Sequence, residues 1–427
     1  MESYHFDTLS IILDKTGAVE FAKVSYPIRY GRFSEIKTPD YTFQCNLNGE
    51  IKYIQGRREG WPHPAEWLKR TVANDWVYYS AGEYGRAYDY FGEYYVPCLS
   101  YPSNSIMGGN PFNDRAVRSA LKAWEEARIR LKGLRAGSLA QGLEDFLSLA
   151  TENDVRRLQL RSKALHKLIG GWVTVLPPDT RHVDYEIIPV FIADGCLYNC
   201  AFCRVKTGED FAPRDKKSVK EQIKGLKAFY SGDLQNYNAV FLGQHDALNA
   251  GEDLIEFAAS NAYEVLEFGR SCMKGAYLFL FGSVDSLLKA KDGLFEMLQG
   301  LPFCTYINVG LESADQETLT ALGKPIASEM IGEAFARMLE VNKRYERIEV
   351  TANFLLGSNL PQGHLPNSLD VIRNELRRFY SKGAIYFSPL VNGGSMSGET
   401  RRSMVRRFGE IKSRSLLPTY LYLIQRL

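Results

Sequence analysis

The stretch that decides the fold is Tyr185–Cys203, YEIIPVFIADGCLYNCAFC, in which an apolar run leads directly into three closely spaced cysteines. The run Tyr185–Ala193 is rich in apolar and β-branched residues, which is typical of a buried strand. Cys196, Cys200 and Cys203 follow it at the spacing C-x3-C-x2-C. The sequence therefore predicts three thiolates on one loop at the carboxyl end of a strand.

Three thiolates on one short loop suit a cubane iron–sulfur cluster, because cysteine sulfur is the soft ligand that such clusters require. No fourth cysteine lies nearby, so one iron of a four-iron cluster would be open to a substrate or cofactor. Zinc is an alternative, with His245 or His182 as the fourth ligand of a tetrahedral site. Because zinc sites usually have paired C-x2-C elements and this loop has only one, the spacing favours the cluster. A third alternative, buried core cysteines, is disfavoured by the loop-forming residues Gly195 and Asn199.

Strand and helix patterns alternate through the chain that follows. Apolar, β-branched runs occur at Tyr185–Ala193, Ala239–Leu242, Tyr277–Phe281, Tyr306–Val309, Ile348–Leu356 and Ala384–Phe387. Helical patterns lie between them at Val219–Tyr230, Asp253–Phe268, Ser286–Leu298, Asp315–Leu322 continuing to Leu339, and Asn367–Phe379. This alternation indicates an α/β fold, a parallel sheet of six βα units. The sheet could be open or curled into a partial barrel, and in either form we expect the functional residues at the carboxyl ends of its strands.

The preceding part of the chain has a different character. Short strand patterns and longer helical patterns occur there at Ser10–Leu13, Tyr41–Cys45, Asp114–Leu134 and Gly142–Leu168. We expect an N-terminal mixed α+β domain at 1–180, the α/β core at 181–395 and a C-terminal helical extension at 396–427. The tyrosine-rich stretch Trp76–Tyr101 is interpreted as a packing surface against the core or as part of a substrate pocket.

Composition limits the classes of function. The 427 residues are 45% hydrophobic and 24% charged, with a net charge of +2, which gives no electrostatic reason to expect nucleic acid as a general partner. The basic cluster at 401–414 is interpreted as the solvated face of a last helix. No N-terminal signal and no apolar run near the ~20 residues of a membrane span is seen. The seven unevenly spread cysteines do not form a disulfide framework, so we expect a cytoplasmic protein without membrane contact.

The motif GCLYNCAFC at 195–203 resembles the signature of the radical S-adenosylmethionine (SAM) superfamily. The resemblance implies a partial (β/α)6 barrel in which Cys196, Cys200 and Cys203 hold a catalytic [4Fe–4S] cluster. SAM would chelate the open iron, and one electron from the cluster would cleave SAM to a 5′-deoxyadenosyl radical that abstracts hydrogen from a substrate. An electron donor such as flavodoxin or ferredoxin is implied as a partner.

The resemblance continues at the end of the second predicted strand. Gly243, Gln244, His245 and Asp246 occupy the position of a glycine-rich element that meets the SAM amino group through backbone groups. The family's usual form is Gly-Gly-Glu, from which the last three of these residues depart. Phe202, one residue before the last cysteine, lies where the family has an aromatic side chain near the adenine.

Three later segments extend the set of implied SAM contacts. Ser283, after the third strand, is a candidate contact or a cap of the next helix. The segment at 308–324 resembles the GxES segment of the subgroup with oxygen-independent coproporphyrinogen oxidase, Elongator-type enzymes and methylthiotransferases. By position, Glu312 and Asn353 would bind the ribose, and Lys324 would pair with the SAM carboxylate. Lys324 could instead cap a helix C-terminus.

The remaining cysteines, Cys45, Cys98, Cys272 and Cys304, show no second cluster motif, and no D-x-H-x-x-G cobalamin pattern precedes the core. We therefore expect a radical SAM oxidoreductase or transferase that acts on an unidentified small-molecule or peptide substrate. The alternative is an iron–sulfur redox sensor or electron-transfer protein without SAM chemistry.

Overall fold

A computed structural model describes residues 1–21, 28–62, 65–80, 95–97, 101–135, 139–205, 208–374, 380–391 and 396–427. Most of the tyrosine-rich stretch Trp76–Tyr101 lies outside these residues, as do Cys98 and the end of the predicted helix Asn367–Phe379. No helix in the described part of the chain combines the length and apolar character that a membrane span needs.

An antiparallel sheet begins the chain, and its eight strands are neighbours in chain order. They are β1 (Glu2–Phe6), β2 (Leu9–Thr16), β3 (Arg32–Lys37), β4 (Tyr41–Cys45), β5 (Ile51–Gly56), β6 (Trp67–Arg70), β7 (Trp76–Tyr79) and β8 (Tyr95–Pro97). In β2 the apolar residues Leu9, Ile11 and Leu13 are buried, as the two-residue period of a strand requires.

Three helices follow the sheet: α1 (Arg115–Leu134), α2 (Gln141–Glu152) and α3 (Val155–Ile169). The first packs on the sheet, with the rings of Trp124 and Phe43 5.4 Å apart. The prediction of a single helix at Gly142–Leu168 is thus wrong, because the helix is interrupted at Asn153 and Asp154. Asp154 accepts a hydrogen bond from the backbone N–H of Arg157 at 2.8 Å, which starts a new helix.

The core is a parallel sheet of seven strands in the order β17-β16-β15-β14-β13-β12-β9. These strands are β9 (Ile188–Phe191), β12 (Ala239–Gly243), β13 (Tyr277–Gly282), β14 (Cys304–Glu312), β15 (Ile348–Leu356), β16 (Ile385–Pro389) and β17 (Thr419–Leu421). A short antiparallel pair, β10 (Ala193–Asp194) and β11 (Ala212–Pro213), brackets the cysteine loop. The expected α/β partial barrel is therefore present beside an N-terminal α+β region.

Helices connect the core strands. They are α4 (Lys216–Tyr230), α5 (Glu252–Val265), α6 (Val284–Lys289), α7 (Asp292–Gly300), α8 (Gln316–Ala321), α9 (Glu329–Arg344), α10 (His364–Asn374) and α11 (Gly398–Arg414). Two stretches expected to be continuous, Ser286–Leu298 and Asp315–Leu339, are each divided into two helices. Gly323 lies between the two helices of the second stretch. Its φ of +65° favours glycine and is incompatible with a continuous helix, so the helical conformation ends just before Lys324.

The last segment differs from the expected helical extension. Helix α11 is present, and most of its basic residues face solvent, as interpreted from the sequence. The chain then turns back and adds β17 beside β16, where Thr419 pairs with Ile385. Three residues are too few to give a recognisable strand period, so the sequence pattern predicted six core strands instead of seven.

A short helical turn, Pro178–Val183, lies against the early part of the parallel strands. Its Asp179 is fully buried and accepts hydrogen bonds from Thr351 and Tyr386 at 2.7 and 2.8 Å. Burial raises the pKa of Asp179 to about 6, although these two hydrogen bonds oppose the rise. His182 also belongs to this turn, with its Nε2 3.8 Å from an Asp179 oxygen.

Buried ion pairs join the antiparallel sheet to the core. Lys69 in β6 lies 2.7 Å from a Glu186 oxygen and 3.2 Å from an Asp184 oxygen. Lys52 in β5 reaches the other Glu186 oxygen at 3.3 Å. Because Glu186 lies just before β9, this network connects the N-terminal sheet to the strand that leads into the cysteine loop.

Candidate active site

A cavity opens at the carboxyl ends of the parallel strands. Ten of the twelve residues predicted as site residues line it: Cys196, Cys200, Phe202, Cys203, His245, Asp246, Ser283, Glu312, Lys324 and Asn353. Gly243 and Gln244 are not among the lining residues. Gln244 instead turns toward the preceding segment, where its Nε2 donates to the carbonyl of Trp172 at 3.3 Å.

The cysteine loop is shaped by a glycine and by backbone hydrogen bonds. Gly195 has a φ of +72°, and a Cβ at this position would lie 2.1 Å from the carbonyl oxygen of Asp210. The next backbone N–H, of Cys196, donates to Glu209 at 3.2 Å. Further along, the N–H of Ala201 donates to the carbonyl of Leu322 at 3.0 Å. The loop is thus held at both ends, against its own return strand and against the end of α8.

Cys200 is the most buried of the three thiols. Burial raises its pKa to about 11, and nearby Lys324 offsets only part of this rise. The isolated thiol is therefore protonated at neutral pH. A metal centre would have to displace this proton, as thiolate ligation generally does.

The three thiols are not arranged to bind a single metal ion together. Within the described ranges, no three His, Cys, Asp or Glu side chains converge so as to hold one metal ion. In a cubane each thiolate binds a different iron, so such convergence is not required. His182, an alternative zinc ligand, lies beside Asp179 and 5.1 Å from the ring of Tyr306, whereas His245 does line the cavity.

Glu312 at the end of β14 forms a charge pair with the buried Lys324. A bulge between Gly310 and Glu312 shifts the strand register, and Glu312 has a φ of +68°. Lys324 is only 5% exposed, and its Nζ lies 2.6 Å from the Gly310 carbonyl and 3.5 Å from Glu312. The ammonium also lies 5.2 Å from the ring centre of Tyr198. The expected carboxylate and cation are thus side by side.

Asp246 is held by the start of the next helix. One of its oxygens accepts from the N–H of Ser283 at 2.9 Å and from the hydroxyl of Ser286 at 2.8 Å, while its Oδ2 is buried without a partner. The hydroxyl of Ser283 accepts from the N–H of Ser286 at 3.0 Å and caps α6. Of the two interpretations of Ser283, the helix cap is therefore present in the structure.

His245 and Asn353 complete the polar part of the cavity. Burial lowers the pKa of His245 to about 4, so its imidazole is neutral at physiological pH, and its Nε2 is buried without a partner. Asn353 donates to the side-chain oxygen of Asn308 at 2.6 Å. The site therefore contains one unpartnered imidazole nitrogen and one unpartnered carboxylate oxygen.

Sequence reasoning missed several lining residues. Tyr198 lies inside the cysteine motif, yet its ring under Lys324 has no signature in the sequence. Tyr422 and Ile424 line the cavity from the end of the chain, whereas Tyr101, which also lines it, belongs to the stretch with a pocket as one interpretation. No local pattern marks Tyr422 and Ile424, because only the folded chain brings these segments to the same opening.

Comparison with known proteins identifies the core. Residues 190–372 match the model of the radical SAM superfamily. The bacteriochlorophyllide d C-8(2)-methyltransferase of Chlorobaculum tepidum is 25% identical over 171 residues, which cover 39% of this chain and 35% of that protein. This chain therefore spans about a third of the length of that curated relative.

Solved structures give weaker likenesses. A radical SAM methyltransferase from Sphaerobacter thermophilus has 15% identity and a TM-score of 0.40, covering 55% of this chain and 65% of that one. Coproporphyrinogen III oxidase from Escherichia coli has 9% identity and a TM-score of 0.38, covering 59% of this chain and 56% of that one.

The chain thus contains a radical SAM domain, which confirms the resemblance predicted from the cysteine motif. The cofactors of this family are a [4Fe–4S] cluster and SAM, and the residues of the cavity suit them. Three thiols, one carboxylate beside a cation, and His245 and Asp246, each with a buried unpartnered atom, belong to the lining of this cavity. This donor set matches a thiolate-held cluster next to a zwitterionic ligand.

Proposed function

We propose that this radical SAM protein cleaves SAM reductively in the cavity and uses the resulting radical to abstract hydrogen from a substrate. Cys196, Cys200 and Cys203 would hold the cluster and leave one iron for SAM. The observation that carries the proposal is that these thiols share one cavity with the Glu312–Lys324 pair, inside the matched domain. When bound, the cluster and SAM supply the radical chemistry.

The charged side chains are proposed to orient SAM. Glu312 accepts from ribose hydroxyls, and Lys324 offsets the carboxylate of the amino acid part. Because Lys324 is fixed between the Gly310 carbonyl and Glu312, its charge has a defined place before SAM binds. Lysine forms one point contact where arginine would form two, so Lys324 acts mainly through its charge.

The polar groups at the ends of β12 and β13 are proposed to receive the ammonium end of SAM. The unpartnered Oδ2 of Asp246 is a buried acceptor, and Ser283 positions this carboxylate through its backbone N–H. His245 contributes a neutral imidazole to the same lining, whereas Gly243 and Gln244 are not among the lining residues and are assigned no contact.

Two further cavity residues are assigned to the nucleoside. Phe202 supplies an aromatic face for the adenine, and Asn353 supplies an amide for the ribose. The Asn308–Asn353 pair at 2.6 Å fixes the orientation of that amide. These assignments rest on the position of both residues in the cavity lining.

The substrate and the class of the overall reaction are separate questions. Hydrogen abstraction is common to oxidoreductases and transferases. The transferase class is supported by the curated relative, which is named a methyltransferase. A small molecule or a peptide side chain is proposed as the substrate, and flavodoxin or ferredoxin as the electron donor.

The test is SAM cleavage by protein reconstituted with iron and sulfide without oxygen. Reduced with dithionite, the protein is expected to form 5′-deoxyadenosine, and SAM should change the electron paramagnetic resonance signal of the cluster. Cys200→Ser should abolish both effects, whereas Cys304→Ser, at the exposed start of β14, should retain them. Undiminished product from Cys200→Ser would falsify the assignment. A cluster that SAM never perturbs would favour an electron-transfer or redox-sensing protein.

A further inference from the structure

We infer that the cavity receives an uncharged, hydrocarbon-rich substrate against an apolar wall that the C-terminal segment helps to form. The apolar wall consists of Val175, Leu355, Pro389, Leu390, Tyr422 and Ile424. Two of these residues belong to the tail that follows β17. The inference deepens the proposed function, because it assigns a substrate class to the same cavity.

Charge is unevenly distributed over the described lining. Its acidic and basic side chains are Arg204, Asp246, Glu312 and Lys324. Glu312 and Lys324 pair with each other, and Asp246 is bonded to the start of α6. Arg204 is exposed. The apolar wall itself contributes no charged group, so a charged substrate part placed against it would lose hydration without compensation.

The tyrosine hydroxyls do not add polarity to the cavity. Tyr422 donates its hydroxyl to the carbonyl of Leu176, and Tyr101 donates to the carbonyl of Thr174 at 2.7 Å. Tyr198 donates to Asp285 at 2.7 Å. Since each hydroxyl already has a partner, these side chains offer ring surface to a ligand.

The tail is fixed in place by its backbone. Asn104 accepts from the N–H of Ile424 at 2.9 Å and donates to the Ile424 carbonyl at 3.0 Å. The N–H of Leu176 donates to the Gln425 carbonyl at 2.9 Å, and Arg426 pairs with Asp75. Ile424 is therefore held at the cavity before a ligand arrives. A preorganised apolar surface binds apolar groups with little ordering cost.

The first experiment measures binding of Nile red, a neutral apolar dye, to reconstituted protein with SAM present. We expect saturable binding with a blue-shifted emission, weakened about tenfold or more in Ile424→Asp because a charge is introduced into the apolar wall. Ile129→Asp, on the exposed face of α1, should bind as the wild type does. Leu390→Ser provides a second wall variant if Ile424→Asp fails to fold, as judged by circular dichroism. Equal dye affinity in the wild type and a folded wall variant would overturn the inference.

The second experiment identifies the substrate fraction. Deuterated cell extract is divided into an organic-soluble and an aqueous fraction, and each is incubated with protein, SAM and dithionite. Deuterium in 5′-deoxyadenosine is expected from the organic fraction and should decrease in Ile424→Asp. Label from the aqueous fraction alone would contradict the inference and leave the proposed function intact. A wild type that forms no 5′-deoxyadenosine would instead contradict the proposed function, while the dye measurement would still test the wall.

Discussion

At the residue scale, the site depends on single side chains whose surroundings are unusually specific. Lys324 lies at once near a carbonyl, a carboxylate and an aromatic ring, so its ammonium has several stabilising partners despite burial. Gly195 has the opposite property, since its function is to have no side chain. Lys324 places a positive charge in the site, and Gly195 leaves room for the backbone of Asp210.

Glu312→Ala is expected to weaken SAM binding by ~1.5–3 kcal/mol, the cost of a lost hydrogen bond to a charged group. Lys324 keeps its bond to the Gly310 carbonyl in this variant, so the local fold should survive. Equilibrium dialysis with labelled SAM measures the effect. Glu317→Ala, on the exposed side of α8, is the matched control, and equal affinities in both variants would remove Glu312 from the site.

Gly195→Ala is expected to lower the iron and sulfide content after reconstitution. The new methyl group would collide with the Asp210 carbonyl in a left-handed conformation, so the cysteine loop must shift. Gly208→Ala is the control, because Gly208 also has a positive φ of +78° but nothing within 4 Å of its added Cβ. It should cost only ~1–2 kcal/mol of conformational strain and retain the cluster. Similar cluster loss in both variants would contradict this steric explanation.

At the element scale, the tail after β17 is the least expected part of the fold. It completes the core sheet with three residues and then follows the cavity wall. Its stability depends on partners from the segment before α1 and from the segment before β9. An element this short gains little from its own hydrogen bonds, so the anchoring side chains determine its position.

Asn104→Ala should loosen this tail and lower the free energy of unfolding by ~2 kcal/mol, since two hydrogen bonds of ~1 kcal/mol each are lost. Urea denaturation followed by circular dichroism measures the change. Asn261→Ala, which removes one bond to Phe257 within α5, should cost about half as much. Equal losses in the two variants would mean that Asn104 does not anchor the tail.

At the scale of the whole molecule, the antiparallel sheet and the core share a buried charge network. Lys52 and Lys69 belong to the sheet, whereas Asp184 and Glu186 precede β9. Burial alone would raise the pKa of Glu186, but the two ammonium groups outweigh it and lower the pKa to about 2. The contact between the antiparallel sheet and the core therefore depends on the ionised form of Glu186.

Lys69→Met is expected to reduce the free energy of unfolding by ~3–5 kcal/mol, because it removes a buried positive charge that Asp184 and Glu186 share. Lys224→Met, which breaks the exposed pair with Glu221 on α4, should cost less than ~1 kcal/mol. Denaturant titration at pH 7 compares them. A similar small loss in both would show that the buried network contributes little.

The pH dependence of stability follows from the same carboxylate. Since the folded-state pKa of Glu186 lies below the ordinary value of 4.5, its contribution is complete above that value and is lost as the pH falls toward about 2. Glu186→Gln should therefore lose less stability than the wild type over this interval. Parallel slopes for the two proteins, measured by urea titration from pH 5 to pH 2.5, would exclude Glu186 as the cause.

The sequence by itself predicted the radical SAM core: the cysteine spacing predicts a cluster loop, and the alternation of apolar runs with helical periods predicts the parallel strands. These features are local, because ligand spacing and residue period act over a few positions. The sequence also predicted Glu312 and Lys324 as two contacts of one ligand, and the structure places them 3.5 Å apart.

Only the tertiary structure decided the rest. The added strand β17 and the apolar wall with Tyr422 and Ile424 depend on contacts between distant segments. Asn104 and Ile424 meet although they are 320 positions apart. Such contacts form only when distant segments pack against the same core, and no local pattern of residues predicts them.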